Sequence, residues 1–174
     1  MRKRTDLIVL LVTCFIAASV SFAAELDGSR PDSGTAQFPS SPDPKITPGS
    51  LCQTPNAYRY PEKIAYCSRD VKGAEKDAII HEYDADLGYS VAKMDRQKFK
   101  IDHYFPLCMG GSNNSDNLWP QHESIYALTD PLEPAVCGKM AKGVLKQAEA
   151  VELIKRAKAN PADAPNVTKY VLAL

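Results

Sequence analysis

The four cysteines that follow residue 50 constrain this chain more than any other feature. They stand at Cys52, Cys67, Cys108 and Cys137, and no two of them form the CxxC pair that closed zinc sites normally use. If the chain is exported to an oxidising compartment, an even number of cysteines predicts two disulfides instead. Four cysteines allow three pairings, and the sequence does not choose among them. We expect Cys52 with Cys67 and Cys108 with Cys137, because each pair closes a modest local loop.

The first residues have the pattern of a secretory signal peptide. A basic start at residues 2–4 precedes an apolar run over residues 7–20, which is too short to span a bilayer comfortably. Ser21 and Ala23 then stand two apart, as a signal peptidase site requires. We therefore expect cleavage after Ala23, which also removes Cys14. The mature protein is expected to be secreted or periplasmic, without a membrane anchor.

Composition divides the remaining chain into a linker, one domain and a tail. Residues 24–50 are dominated by Pro, Ser, Gly and Asp, which predicts a disordered or extended linker. Residues 51–160 are long enough for one modest core, which disulfides would help to stabilise. Residues 161–174 are expected to form a short C-terminal tail.

Hydrophobic periodicity predicts an α+β class for this domain. The expected order is a helix, a strand that ends at a proline, a Gly-rich loop and two further helices. These elements fall at residues 72–83, 99–105, 110–114, 133–142 and 145–154. The expected apolar faces of the first and last helices are Ala78, Ile79, Ile80 and Tyr83, and Leu145, Ala148, Val151 and Ile154.

The densest group of polar residues lies between residues 102 and 122. This run contains the polar residues Asp102, His103 and Asn117, together with Pro106, Gly110, Gly111 and Leu118. This run resembles the HNH endonuclease family, whose ββα-metal motif has Asp-His at a strand end and a Pro three residues later. A Gly-Gly loop and an Asn-Leu pair leading into a helix complete that motif. The resemblance covers residues 100 to 133 well, and it implies a small ββα-metal core with additional helices and disulfides.

The resemblance also implies roles for three residues. Asp102 would bind one divalent metal ion, His103 would act as general base, and Asn117 would fix the loop and orient the base. Phosphodiester hydrolysis needs an activated water and a cation that neutralises the charge building on the phosphate. A carboxylate ligand favours Mg²⁺ or Mn²⁺, with Zn²⁺ and Ni²⁺ as further candidates. An imidazole with a pKa near neutrality can take the proton from water.

Two features of this sequence complicate the motif. Adjacent strand residues point to opposite faces, so Asp102 and His103 can serve one phosphate only at a bend or at the strand end. Many members of the family also carry a His or Asn ligand nine residues after the Asn, where this chain has Tyr126. We expect His122 to replace that ligand, with Asp130 as the second choice.

The expected substrate is nucleic acid, with DNA favoured over RNA by the resemblance alone. Arg69, Lys98 and Lys100 are the candidate phosphate contacts, although lysines at a strand edge are also typical of a solvated surface. Loss of residues 1–23 leaves 18 Lys and Arg against 20 Asp and Glu, so the mature chain has no overall basic excess. We expect a monomer; an inhibitor protein cannot be read from the sequence.

Two other classes of protein compete with the endonuclease interpretation. One is an HNH-fold binding module that has lost its metal and its activity, which Tyr126 in place of a ligand would favour. The other is a disulfide-stabilised envelope or structural protein, in which the motif would be a coincidence. The ordered set of Asp102, His103 and Asn117 argues against the second.

Overall fold

The computed structural model describes residues 36–174, so the predicted signal peptide and the first part of the predicted linker lie outside the described residues. The strands are β1 (Ala57–Arg59), β2 (Ile64–Tyr66), β3 (Phe99–His103) and β4 (Leu118–His122). The helices are α1 (Gly73–Leu87), α2 (Glu123–Thr129), α3 (Leu132–Ala141), α4 (Gln147–Ala159) and α5 (Ala164–Ala173). This mixed structure, with small two-stranded sheets, agrees with the predicted α+β class.

Two disulfides join Cys52 to Cys67 and Cys108 to Cys137, which confirms the predicted pairing. Each stabilises the fold by about 3 kcal/mol on a chain-entropy estimate. Disulfides persist in oxidising compartments, in accord with the expected export. Among the described residues, no helix is long and apolar enough to cross a membrane.

The strands form two antiparallel hairpins, β1 with β2 and β3 with β4. Along β3, Phe99, Ile101 and His103 are buried and the two residues between them are partly exposed, which confirms the predicted alternation. The strand ends at His103, two residues before the predicted end. Helix α2 follows β4 without an intervening loop, so the chain runs strand, strand, helix through the region of the motif.

The apolar core has two parts. The larger one packs α3, α4 and α5 around Phe105 and Met109, and the smaller one joins α1 to the second hairpin through Tyr83 and Trp119. Val167 and Val171 of α5 are buried in the larger part. Residues 161–174, predicted as a tail, are therefore part of the packed structure, because α5 covers an apolar face that α3 and α4 would otherwise expose.

The predicted linker also contributes to packing from residue 36 onward. Pro39, Pro42 and Thr47 are buried. The Thr47 hydroxyl donates to the carbonyl of Leu118 at 3.0 Å and lies 2.8 Å from the Tyr83 hydroxyl. Composition indicates disorder here because apolar residues are few, but the segment has partners for its polar groups on β4 and α1. The boundary drawn at residue 50 is thus not the limit of the ordered structure.

The predicted helix faces are right in part. Ile79 and Tyr83 of α1 are buried as expected, whereas Ala78 is exposed. In α4, Ile154 is buried as expected, but Ala148 is exposed. Both errors place an alanine on the buried face. Because its side chain is small, an alanine fits either face of a helix, and hydrophobic periodicity does not determine which face it occupies.

The buried Tyr83 hydroxyl predicts a loss of stability at alkaline pH. Burial raises its pKa from 10.0 to about 12. A folded-state pKa above the unfolded value gives stability that is complete below pH 10 and is lost as the pH rises towards 12. Tyr83→Phe should cost about 1 kcal/mol at neutral pH through lost hydrogen bonds. The wild type should lose about 2–3 kcal/mol more than this variant between pH 9 and 12.

Urea unfolding across that pH range measures the difference, and Tyr58→Phe at an exposed tyrosine is the matched control. Equal pH slopes for the wild type and Tyr83→Phe would contradict the prediction.

Candidate functional site

The buried side chain of Asn117 closes the loop between β3 and β4. Its Oδ1 accepts from the Phe105 amide at 2.8 Å. Its Nδ2 donates to the carbonyls of Phe105 and Ser112 at 3.0 and 2.9 Å. The Tyr104 amide donates to the Asn117 carbonyl at 2.7 Å. Asn117 thus binds the loop backbone, and through the loop it positions the residues around His103.

The Gly-Gly pair of the motif allows close backbone contacts within this loop. A Cβ at Gly111 would lie 1.7 Å from the Phe105 carbonyl oxygen, so any side chain there would displace the backbone. Gly110 has φ +93°, a backbone conformation that residues with a side chain rarely adopt. The Cys52 amide donates to the Gly110 carbonyl at 2.8 Å, which joins the loop to the first disulfide. The loop backbone therefore requires both glycines, and this requirement is independent of phosphate binding.

His103 is buried at the end of β3, with polar partners on both ring nitrogens. The Asn113 Nδ2 donates to the Ser68 carbonyl at 2.7 Å, which turns Asn113 Oδ1 towards His103 Nε2 at 3.1 Å. An amide oxygen only accepts, so Nε2 carries the proton of the neutral ring and Nδ1 keeps the lone pair. The guanidinium of Arg69, which only donates, lies 3.5 Å from that Nδ1.

The surroundings of His103 favour its neutral form. Burial lowers its pKa below the ordinary 6.5; the hydrogen bond to Asn113 raises it in part, and the charge of Arg69 lowers it again. The imidazole is therefore uncharged at neutral pH and can accept a proton.

Asp102 faces a different set of side chains, which are charged. Its Oδ2 lies 3.2 Å from Lys100 Nζ and 4.0 Å from Lys158 Nζ. Lys100 also donates to Asp130 at 2.7 Å. Within residues 36–174, neither Asp102 Oδ2 nor Asp130 Oδ1 accepts a hydrogen bond, although both atoms are buried. Lys100 is thus an ion-pair partner that leaves carboxylate lone pairs unused.

Lys158 is fully buried and reaches the same group from α4. Its Nζ donates to Glu133 at 2.8 Å and to the carbonyl of His103 at 2.6 Å. Burial raises the pKa of Glu133, and Lys158 offsets part of that rise. For Asp102 burial also acts to raise the pKa, but Lys158 and Lys100 outweigh it and the pKa is lowered. Asp102 is therefore ionised at neutral pH.

Asp102, Asp130 and Glu133 together could hold a cation, since one oxygen of each lies within 4.8 Å of the others. Carboxylate oxygens are the ligands that Mg²⁺ and Mn²⁺ prefer. The three carboxylates and two ammonium groups carry a formal charge of −1. A metal ion therefore fits the donor set on condition that an ammonium group moves aside, and only Lys100, with 37% of its side chain exposed, has access to solvent.

The structure does not bring His122 to Asp102. In the strand register His122 lies opposite Phe99, three positions from Asp102, which corresponds to about 10 Å. Its Nδ1 caps α2 by accepting from a backbone amide, and its ring stacks on Phe38 with 3.9 Å between centroids. The residue that stands near Asp102 is Asp130, the second choice from the sequence.

The three predicted substrate contacts lie in different surroundings. Arg69 is beside His103, where a phosphate bound near the imidazole would meet it. Lys98 is exposed and pairs with Glu123 at 2.7 Å. Lys100 lies among the carboxylates and pairs with Asp102 and Asp130.

Sequence reasoning missed several neighbours of the candidate site. Glu133 and Lys158 come from helices outside the motif, and Asn113 and Ser68 lie in loops. One signal was present for Lys158: it stands four residues after Ile154, at a position where the apolar face of α4 predicts a hydrophobic residue. A lysine there indicates a buried charge with a partner.

Comparisons with protein-family models, with curated proteins and with solved structures found no match.

The bonds of Asn117 predict a large stability loss on substitution. Asn117→Ala removes three hydrogen bonds and leaves buried backbone groups without partners, so the free energy of unfolding should fall by about 2–4 kcal/mol. Asn114→Ala, at an exposed asparagine whose side chain makes no capping bond, should change it by less than about 0.5 kcal/mol. Chemical denaturation measures both. Similar values for the two variants would show that the Asn117 amide does not hold the loop.

Proposed function

We propose that this chain is an exported, monomeric endonuclease of the HNH type that hydrolyses phosphodiester bonds of nucleic acid, preferably DNA, with one divalent metal ion. The observation that carries the proposal is the juxtaposition at the end of β3. Asp102 faces a carboxylate cluster, and the next residue, His103, presents a neutral imidazole beside the Arg69 guanidinium. A metal ligand, a base and a phosphate-binding cation are the groups that this reaction needs.

Asp102 and Asp130 are the principal candidate metal ligands, with Glu133 as the third. Their unused lone pairs support this choice. With Lys100 moved into solvent, the carboxylates and Lys158 carry a formal charge of −2, which one divalent cation balances. When bound, such a cation neutralises the negative charge that develops on the phosphate and the leaving oxygen.

The residues of the chain divide the remaining work. When Arg69 has turned from Nδ1 to a phosphate oxygen, His103 takes a proton from water at Nδ1, because Nε2 already carries the proton of the neutral ring and its N–H donates to Asn113 Oδ1. Arg69 binds a phosphate oxygen and so brings the scissile bond to the strand end. Asn117 holds the loop that keeps Asn113 in place. A phosphate at the strand end can meet both Asp102 and His103, although their side chains leave opposite faces of β3.

A second candidate is a nucleic-acid-binding module without metal chemistry. The specific observation in its favour is Lys158, whose buried ammonium already compensates Glu133 and Asp102. Such a module would bind nucleic acid and show no cleavage with any divalent ion.

The first test of the proposal is the effect of His103→Ala on cleavage. Loss of a general base commonly costs a factor of about 10² to 10⁴, and metal binding should be retained because His103 is not among the carboxylates. His122→Ala, at a histidine remote from Asp102, is the matched control and should retain activity. Cleavage of plasmid DNA and RNA by residues 24–174 is measured with Mg²⁺, with Mn²⁺ and with chelator. Metal-independent cleavage, or full activity in His103→Ala, would exclude the mechanism.

A second test concerns the metal ligands. Asp102→Asn and Asp130→Asn should each weaken Mn²⁺ binding by about tenfold or more, because each removes a charged ligand. Calorimetric titration of the metal-free protein measures the affinity, and His122→Ala should bind like the wild type. If His122→Ala alone weakens binding, the ligand set predicted from the sequence is the correct one.

A further inference from the structure

Lys100 occupies the position where the proposed metal ion would be bound. Its Nζ bridges Asp102 and Asp130 at 3.2 and 2.7 Å, and it stands 4.8 Å from the centre of the Tyr126 ring. A cation placed between the two carboxylates would come within a few ångströms of this ammonium group. Two positive charges at such a separation repel strongly in a partly buried site. Lys100 and the metal ion therefore exclude each other.

Lys100 differs from Lys158 in its freedom to leave. The Lys158 side chain is fully buried and is bonded to Glu133 and to the His103 carbonyl, so it has no route to solvent. The Lys100 side chain is 37% exposed and can extend into water without breaking the core. Removal of Lys100 also releases the two carboxylate oxygens that it approaches. It is therefore the internal counter-ion that a divalent ion would replace.

The displaced ammonium group would have a new partner when nucleic acid is present. Lys100 is on β3, two residues before Asp102, so its flexible side chain stays close to a phosphate held at the strand end. A phosphate attracts a lysine ammonium as a carboxylate does. A single movement of Lys100 from the carboxylates to a phosphate would free the metal position and offset one negative charge of the substrate.

We infer that Lys100 couples metal binding to nucleic-acid binding: it holds the carboxylates in the metal-free protein and transfers to substrate phosphate when the ion enters. This inference rests on the proposed function, because it requires the carboxylates to be the metal site. By linkage, nucleic acid strengthens metal binding and metal strengthens nucleic-acid binding by the same factor. Without substrate, the protein binds metal weakly.

The experiment is calorimetric titration of Mn²⁺ into metal-free protein that carries His103→Ala, with and without a duplex DNA oligonucleotide. In this background, Lys100→Met should bind Mn²⁺ about tenfold or more tightly without DNA, because the competing charge is gone. The increase in Mn²⁺ affinity caused by DNA should be smaller in Lys100→Met than in the parent. Lys155→Met, at a partly exposed lysine paired with Glu152 on α4, is the matched control and should behave like the parent.

Lys100→Gln provides a second variant if Lys100→Met does not fold, and circular dichroism checks both. If the parent binds Mn²⁺ and neither Lys100 variant binds it more tightly, the inference is overturned while the proposed metal site stands. If no variant binds Mn²⁺ with or without DNA, the proposed function itself fails, and the inference fails with it.

Discussion

The hydrogen bonds of one buried amide, that of Asn117, support the candidate site. They bind both backbone groups of Phe105 and the carbonyl of Ser112, so the two strands stay joined beyond their last ladder pair. Buried backbone groups are costly to leave unpaired, which makes this arrangement hard to replace. The same loop carries Asn113 to the imidazole of His103. The position of His103, the proposed base, therefore depends on an amide whose own bonds go to the backbone.

Adjacent residues of β3 lie in two different electrostatic environments. Asp102 is kept ionised by two ammonium groups, whereas His103 is kept neutral mainly by burial. A ligand needs the first state and a base needs the second. Alternation along the strand thus provides an ionised carboxylate and a neutral imidazole from adjacent residues. In the proposed mechanism, these two groups can act on one phosphate only where the strand ends.

The local part of this structure could be predicted from the sequence. Alternation along β3 and the loop glycines follow from short-range patterns, and the disulfide pairing was the most local of three that the sequence leaves open. The structure confirms the alternation and the expected pairing. The packing of residues 36–50 and of α5 could not be predicted, because both depend on partners that are distant in the chain. Glu133 and Lys158 could not be predicted as neighbours of the candidate site for the same reason. His122 was selected by spacing alone, and strand register places it elsewhere.

The position of Lys158 in the chain has a consequence for biosynthesis. It bonds to His103 across a separation of 55 residues, and α4 and α5 supply much of the larger core around it. A growing chain that has just completed α2 already contains the whole motif, yet it lacks the ammonium group that compensates the buried carboxylates. Contacts between residues so distant in the chain are slow to form, because loop-closure entropy opposes them. The site therefore matures only after α4 and α5 have been synthesised, whichever hairpin folds first.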